Sequence, residues 1–295
     1  MLDVRRLRLL RELALRGTIA AVAEALVFSP SAVSQQLATL EREAGVPLLE
    51  RTGRGVALTP AAHALVAHAE VILDRLEQAA SDLADRRHGP AGPVRIGVFP
   101  TATRTVAVAA LALLGTEHPG LEPRLSEIDP AAVGDALRAG DLDLALVHDY
   151  DLLPALDEPG IATSAPLFTE VMLLATTTQE PTLTGCAHAP WITATPATRC
   201  HDTTVRACHA AGFAPAVRHR IDDFTAVLAL VAAGHGVALV PELAAGDPPP
   251  GVVLTPLPIR RRTTTACRAG AERHPAILAT ASALRRAGSA ASGSG

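Results

Sequence analysis

The chain has 295 residues, of which 48% are hydrophobic and 2% aromatic, and its formal net charge at pH 7 is −4. This length is sufficient for more than one domain. The net charge excludes a protein that coats nucleic acid with its whole surface, so any contact with DNA must come from a local patch. The sequence contains neither a secretory signal nor an apolar run of about 18 residues, and we expect the four cysteines to be reduced thiols in the cytoplasm.

The first part of the chain predicts a winged helix-turn-helix domain. Apolar residues at helical spacing indicate a first helix that ends at Gly17, a short second helix over 19–26 and a tight turn. The sequence predicts both ends of the third helix. Ser29 is a good N-cap, and Gly45 suits the left-handed conformation of the residue that follows the last turn. These three helices are followed by a short hairpin.

One face of the third helix carries short or flexible polar side chains, which suit a helix lying against base edges in the major groove. An ordinary solvated helix is the alternative that this pattern leaves open. After the helix, two strand-like runs flank a turn at 52–55 and predict a wing, whose arginines can reach phosphates or the minor groove. The candidate DNA-binding residues are Pro30, Ser31, Ser34, Gln35, Thr39, Arg51 and Arg54.

A long helix with an apolar seam is predicted next. Thr59 caps it and Pro60 opens it, and apolar residues then recur in alternating steps of four and three, the spacing of a coiled-coil seam. A small winged domain cannot cover such a seam, so we expect a helix of a second subunit to cover it, with packing on the C-terminal domain as the alternative. The candidate dimerisation residues are Leu65, Ala69, Ile72, Leu76, Ala79 and Leu83.

Beyond a glycine- and proline-rich hinge, the pattern alternates strands and helices, which favours a parallel, doubly wound sheet. Two crossings of the chain, near residues 164 and 260, indicate two lobes hinged like a clamshell. The expected fold class is therefore α/β, with a separate helical N-terminal domain. The predicted parts are the winged helix-turn-helix (1–58), the linker helix (59–88), the hinge (89–93), the C-terminal domain (94–287, with lobe I at 94–163 and 260–287 and lobe II at 164–259) and a flexible tail (288–295).

Ligands of such domains bind in the crevice outside the carboxyl ends of the strands. Both lobes place hydroxyl groups at strand–helix junctions facing this crevice, where a positive helix end favours an anion, first of all a carboxylate. Simple helix capping is the alternative for Thr101 and for Thr103, and Asp222 leaves room for a ligand that also carries a donor. The candidate effector-binding residues are Thr101, Thr103, Val147, Thr193, Asp222, Phe224 and Thr225.

The stretch GTIAAVAEALVFSPSAVSQQLATLEREAGVPLLERTGRGVALTPAA resembles the DNA-binding domain of the LysR-type transcriptional regulators, and VRIGVFPTATRT, GDLDLALVHD and LVAAGHGVALVPEL extend the resemblance. It implies a two-lobed, periplasmic-binding-protein-like C-terminal domain. It also implies a cytoplasmic homodimer or homotetramer that binds double-stranded promoter DNA, senses a small-molecule effector and, if it is an activator, contacts RNA polymerase. The family's base-reading positions fall on Pro30, Ser31, Ser34 and Gln35. Many relatives have arginine in place of Gln35, and glutamine favours adenine over guanine at that base.

The cysteines leave a second function open. Cys200-His201 and Cys208-His209 could form a metal pair or a redox pair. Peroxide-sensing members of the LysR-type family use two cysteines in this region, and Cys208 corresponds to the second of them. The spacing here is one residue shorter, so Arg199 occupies the reactive position, and buried or incidental thiols are favoured.

Signs of catalysis are absent from the sequence. It offers no Ser/His/Asp arrangement, Walker loop or dinucleotide fingerprint, so we expect neither an enzyme nor a bound metal or cofactor. The run of arginines at 260–262 predicts a solvated turn. The rival interpretation is a solute-binding or enzymatic clamshell in which the DNA-binding module has no role. The winged helix and the missing export signal favour a ligand-responsive DNA-binding transcriptional regulator instead.

Overall fold

The computed structural model describes residues 1–53, 55–85, 89–154, 157–179 and 181–292. They form a helical N-terminal domain, a long helix and a C-terminal α/β domain of two lobes, in the predicted order. Within these ranges, no helix is long and apolar enough to cross a membrane.

The N-terminal domain is a winged helix-turn-helix. Its capping signals are confirmed: the Ser29 hydroxyl accepts a hydrogen bond from the backbone N–H of Ala32, and Gly45 is left-handed with φ 72°. A buried apolar cluster joins the three helices. The elements are α1 (Val4–Arg16), α2 (Ile19–Ala25), α3 (Pro30–Ala44), β1 (Leu49–Thr52) and β2 (Gly55–Leu58).

Helix α4 (Pro60–Asp85) divides the predicted seam into two parts. Leu65 and Ala69 pack on the core of their own N-terminal domain, because α1 lies against this end of the helix. The later part of the seam is open to solvent, since Ile72, Leu76 and Leu83 are 38%, 50% and 69% exposed and Ala79 is exposed as well. The first two residues of the seam therefore do not need a partner subunit to cover them.

The opposite face of α4 contacts the C-terminal domain of the same chain. The Ser81 hydroxyl donates to the Gly270 carbonyl at 3.3 Å, and Arg268 pairs with Glu77 at 3.0 Å. The alternative interpretation, packing on the C-terminal domain, therefore holds for one face of α4, and the other face is exposed.

Lobe I begins at Gly92, within the predicted hinge. A π-helical segment over 103–107 joins its first two helices into one continuous helical stretch. The elements are β3 (Gly92–Val98), α5 (Pro100–Ala102), α6 (Val108–Glu117), β4 (Leu121–Glu127), α7 (Pro130–Ala139), β5 (Leu144–Tyr150) and β6 (Ile161–Thr163).

Lobe II follows, and the last strand and helix then return to lobe I. The elements are β7 (Phe168–Thr176), β8 (Pro190–Thr193), α8 (Arg199–Ala210), β9 (Ala216–Arg220), α9 (Phe224–Ala232), β10 (Ala238–Pro241), α10 (Glu242–Ala245), β11 (Val253–Arg268) and α11 (Pro275–Ser292).

The main sheet is mixed, which corrects the prediction of a parallel one. Strand β3 pairs in parallel with β4 and β5, whereas β11 runs antiparallel to β5, β6 and β7. The reason is that β11 is a single strand of 16 residues that crosses between the lobes. Its register shifts between Leu257 and Arg260, and such a shift lets a strand bend without ending.

The predicted flexible tail is helical as far as the structure describes it. Helix α11 continues to Ser292, because its last turns pack on the core of lobe I and on the first residue of β7: Ala287 is buried, and a Cβ on Gly288 would lie 2.5 Å from Cδ1 of Phe168. Residues 293–295 lie outside the described residues. Close packing, which composition does not reveal, overrides the glycine- and serine-rich sequence here.

Candidate functional site

The exposed face of α3 carries the predicted base-reading residues. Pro30, Ser31, Ser34 and Gln35 are all exposed in its first half. Within the described part of the chain, the Gln35 side chain has no hydrogen-bond partner, so its amide is available to a base edge. The neighbouring Gln36 instead accepts a hydrogen bond from Nε of Arg6 at 2.9 Å and is tied to α1.

The remaining predicted DNA contacts differ in availability. The Thr39 hydroxyl donates to the Gln35 carbonyl at 2.9 Å and accepts from Nη2 of Arg42 at 2.7 Å, so it is engaged within the helix. Arg42 is exposed and extends the polar face. Arg51 is exposed on β1 of the wing, and Arg54 lies outside the described residues.

A cavity of about 280 Å³ lies between the two lobes, beyond the carboxyl ends of β3, β4, β8 and β9. This is the crevice that the sequence predicts as the ligand site. Thr101, Asp222 and Phe224 line it as predicted, and Thr101 is buried in its wall. Helices α7, α8 and α9 all begin at the cavity.

The other predicted effector residues lie near the cavity but outside its lining. Val147 points to the opposite face of β5 from its neighbour His148, because side chains alternate along a strand, and it packs in a separate apolar cluster. Thr103 turns its hydroxyl back toward the Phe99 carbonyl, at 3.5 Å. Thr193 is buried in β8 and is also absent from the lining.

The sequence predicts that Thr225 faces the cavity, but it lies beside the cleft and contacts lobe I. Its hydroxyl accepts a hydrogen bond from Nη1 of Arg104 at 2.8 Å, so that lobe II is joined to lobe I beside the cleft. It contacts the other lobe instead of lining the cavity, since the first turn of α9 directs it away from the lining residue Phe224.

One of the residues that line the cavity, Arg261, belongs to a buried ion pair. Nε of Arg261 donates to the Glu170 carboxylate at 2.8 Å, with both side chains almost fully buried, and the guanidinium lies 5.2 Å from the centroid of the Phe99 ring. The solvated turn predicted for residues 260–262 is therefore wrong for Arg261. The sequence gives no signal for this pairing, because the partners lie on β11 and β7, far apart along the chain.

His148, Tyr150 and Cys200 form a neutral cluster beside this ion pair. The Tyr150 hydroxyl lies 2.8 Å from Sγ of Cys200, and Nε2 of His148 lies 3.9 Å from the same sulfur. Burial, and then the positive charges of Arg261 and Arg199, hold the pKa of His148 well below its usual value. Burial also raises the pKa values of Tyr150 and Cys200. The imidazole is thus uncharged and the thiol protonated at neutral pH.

The two cysteines of the proposed redox pair lie on one helix. Cys200 and Cys208 are separated along α8 by a rise of about 12 Å, whereas a disulfide requires Cα atoms within about 7 Å. Burial also raises the pKa of Cys208 to about 12. A disulfide between them would require α8 to unwind. In the described ranges, no group of three or more His, Cys, Asp or Glu residues could hold a metal ion.

Two family models together cover most of the chain. Residues 4–63 match the bacterial regulatory helix-turn-helix protein, lysR family, and residues 87–289 match the LysR substrate binding domain. The chain is 30% identical over 249 residues to the nitrogen assimilation regulatory protein nac of Klebsiella aerogenes, covering 83% of this chain and 80% of that one. It is 32% identical over 290 residues to a probable hydrogen peroxide-inducible genes activator of Streptomyces viridosporus, covering 90% of this chain and 88% of that one.

A solved structure has the same architecture over nearly the full length. A cysteine variant of OxyR from Corynebacterium glutamicum is 27% identical and gives a TM-score of 0.61, covering 99% of this chain and 94% of that chain. The family models, the relatives and the fold agree with the resemblance found in the sequence. The chain belongs to the LysR family of bacterial regulatory helix-turn-helix proteins, and it is a DNA-binding transcriptional regulator with that family's substrate-binding domain.

Proposed function

We propose that the chain controls transcription by reading promoter DNA with α3 and the wing, and by sensing a small molecule in the cleft between lobes I and II. The cavity carries this proposal, because residues of both lobes line it. A ligand there contacts both lobes at once and favours the arrangement in which those contacts are best, which shifts the population of conformations. We place this activity in the cytoplasm and propose no catalysis.

The DNA-binding half is tested with the DNA upstream of the chain's own gene. A gel-shift assay should show tighter binding to this DNA than to random DNA of equal length, because base contacts add to the phosphate contacts that every sequence offers. Equal affinity for the two would contradict sequence reading by α3.

The ligand-sensing half is tested by a matched pair of substitutions. Small metabolites are screened by thermal shift on the full chain, and those that stabilise it are tested again on Thr101→Val and Thr103→Val. Both changes remove a hydroxyl at nearly constant volume, but only Thr101 lines the cavity. We expect the stabilisation to fall in Thr101→Val and to persist in Thr103→Val. Stabilisation that both variants retain would contradict this location for the site.

We also propose that the chain acts as a homodimer, or as a pair of dimers, through the exposed part of the α4 seam. Ile72, Leu76 and Leu83 form an apolar stripe on one side of a long helix. Pairing two such stripes removes them from water, which is the usual reason for seam formation.

Sensing of peroxide is the second candidate, favoured by two observations. Cys200 lines the cleft beside the Tyr150 hydroxyl, and a relative bears the name of a probable hydrogen peroxide-inducible genes activator. The raised pKa of Cys200 weighs against this candidate, because the thiolate is the reactive form.

A further inference from the structure

The basic residues around the cleft already have partners. Arg199 forms an ion pair with Asp149, and Arg261 forms the buried ion pair with Glu170. Arg104 lies outside the lining and donates to a threonine of lobe II. A ligand anion would therefore have to compete with a carboxylate for either of the arginines that line the cavity.

Three carboxylates in the lining have no such partner. Glu127 ends β4 and Asp129 follows it on lobe I, and Asp222 stands between β9 and α9 on lobe II, so they approach from opposite walls. All three are exposed, and none forms an ion pair with a basic residue that the structure describes. Asp222 accepts hydrogen bonds from the backbone N–H and the hydroxyl of Thr195, at 2.8 and 2.7 Å, so its charge is held by neutral donors. Burial is the main cause of the raised pKa of the Cys200 thiol. The positive charge of Arg261 lowers this pKa, and the negative charges of Asp129 and Asp222 raise it.

The helix ends at the cavity do not supply a free positive site. N-terminal ends attract anions through unpaired backbone N–H groups, but α7, α8 and α9 are each capped by their own side chain. Asp129 accepts from the Ala131 N–H, Thr198 from the His201 N–H and Asp223 from the Ala226 N–H. Two of these three caps are themselves carboxylates, whose negative charge offsets the positive field at the ends of α7 and α9.

The rest of the lining is apolar or neutral. Phe99 and Pro100 on lobe I face Phe224 on lobe II across the cavity. His148 adds no charge because its pKa is depressed, and its Nδ1 is buried without a hydrogen-bond partner in the described part of the chain. The cleft therefore combines apolar walls with unpaired negative charge at its rim.

We infer that the ligand of this cleft carries a protonated nitrogen, as in a primary amine, on an apolar body. The inference rests on the proposed ligand-sensing function. The N–H donors meet Glu127 and Asp222, where charge-assisted hydrogen bonds are stronger than neutral ones, and the apolar body lies between Phe99 and Phe224. A ligand whose only charge is a carboxylate would enter beside three negative groups that have no basic partner among the described residues, and like charges disfavour one another.

The test uses pairs of small molecules that share an apolar body and differ in charge, beginning with phenethylamine and 3-phenylpropanoate. Thermal shift and calorimetry on the full chain should show binding by the amine members and none by their carboxylate partners. Glu127→Gln keeps the shape and removes one charge, and it should weaken amine binding about tenfold, the value expected for one hydrogen bond to a charged group. Glu122→Gln is the matched control, since Glu122 is exposed on the same strand outside the lining, and it should change nothing.

Different binding results would contradict the proposed ligand class and the proposed sensing site. If the carboxylates bind, the amines do not and Thr101→Val weakens that binding, the cleft is the sensing site but the ligand class is wrong. Amine binding that is equally tight in Glu127→Gln also overturns the inference. If neither series binds, or if binding is insensitive to both Thr101→Val and Glu127→Gln, the inference fails together with the cleft as the site of sensing.

Discussion

The DNA-binding domain and the ligand cleft differ in how far apart along the chain their contacting residues lie. In the N-terminal domain, α3 is held by residues of its own neighbourhood, as when Arg6 pairs with Glu43 at 2.5 Å. In the cleft, Phe99 and His148 of lobe I meet Cys200 of lobe II and Arg261 of the returning strand. The first site is thus encoded by local pattern and the second by the path of β11.

The two regions also differ in how they hold charge. The reading face of α3 presents small neutral polar groups to solvent, whereas the cleft wall buries the ion pair of Arg261 and Glu170. Substitutions should therefore affect mainly recognition in the first region and mainly stability in the second.

The largest effect is expected for Glu170→Ala. It leaves Arg261 buried without its carboxylate and removes the acceptor for the Leu243 backbone N–H, which lies 2.7 Å from Glu170. Breaking a buried ion pair in this way typically costs about 3–5 kcal/mol of unfolding free energy, measured by urea denaturation. Glu117→Ala is the control, because its pair with Arg286 is solvent-exposed and should contribute about 0–1 kcal/mol. Similar losses in both variants would show that the cleft wall does not depend on this pair.

Leu76→Glu should change the assembly. A charge on the exposed apolar stripe would be buried at both related positions of a helix pair, at a cost of several kcal/mol, so light scattering should report a smaller mass. Thr116→Glu adds the same charge on the exposed side of α6 and should leave the mass unchanged. If Leu76→Glu also keeps the full mass, the subunits associate through another surface.

The effect on recognition should be smaller and confined to specific DNA. Gln35→Ala removes one two-point base contact, which is expected to cost about 1–3 kcal/mol on the specific site and little on random DNA. Gln36→Ala is the matched control, because that side chain is bound to Arg6. Fluorescence anisotropy on both DNAs measures the difference. If Gln35→Ala and Gln36→Ala lose the same affinity for the specific DNA, then the face of α3 that carries Gln35 is not the one that contacts the bases.

These cases show why sequence predicts the two regions unequally. The limits of α3 follow from Ser29, Pro30 and Gly45, whose effects reach only a few residues, and the structure has them as predicted. The lobes and the crevice also follow from local alternation of strands and helices. Of the two threonines predicted at one strand–helix junction, Thr101 lines the cavity and Thr103 does not, because the turn of the helix decides which side chain faces the cavity.

Non-local pairing is the part that local pattern does not contain. Arg261 lies in an apparently solvated run of arginines, and only its position in β11, opposite Glu170 on β7, explains its burial. The mixed sheet and the helical end of α11 have the same origin. Packing against residues far away in the chain decides both, as Gly288 against Phe168 shows.

The smallest effect is expected in the reactivity of the Cys200 thiol. This reactivity distinguishes a cleft that senses by binding a ligand from one that senses by oxidation of a thiol. Burial raises the pKa of Cys200, so the thiolate fraction is low at pH 8 and grows only as the pH rises further. Alkylation by iodoacetamide, followed by mass spectrometry, should therefore be slower at Cys200 than in free glutathione. It should be slower still at Cys208, which is fully buried. Peroxide sensing requires that Cys200 react faster than free glutathione. A disulfide between Cys200 and Cys208 also requires α8 to open before the two sulfurs can meet. If Cys200 reacts as fast as free thiol at pH 7, the helix opens in solution and the thiol candidate gains the support that the folded geometry denies it.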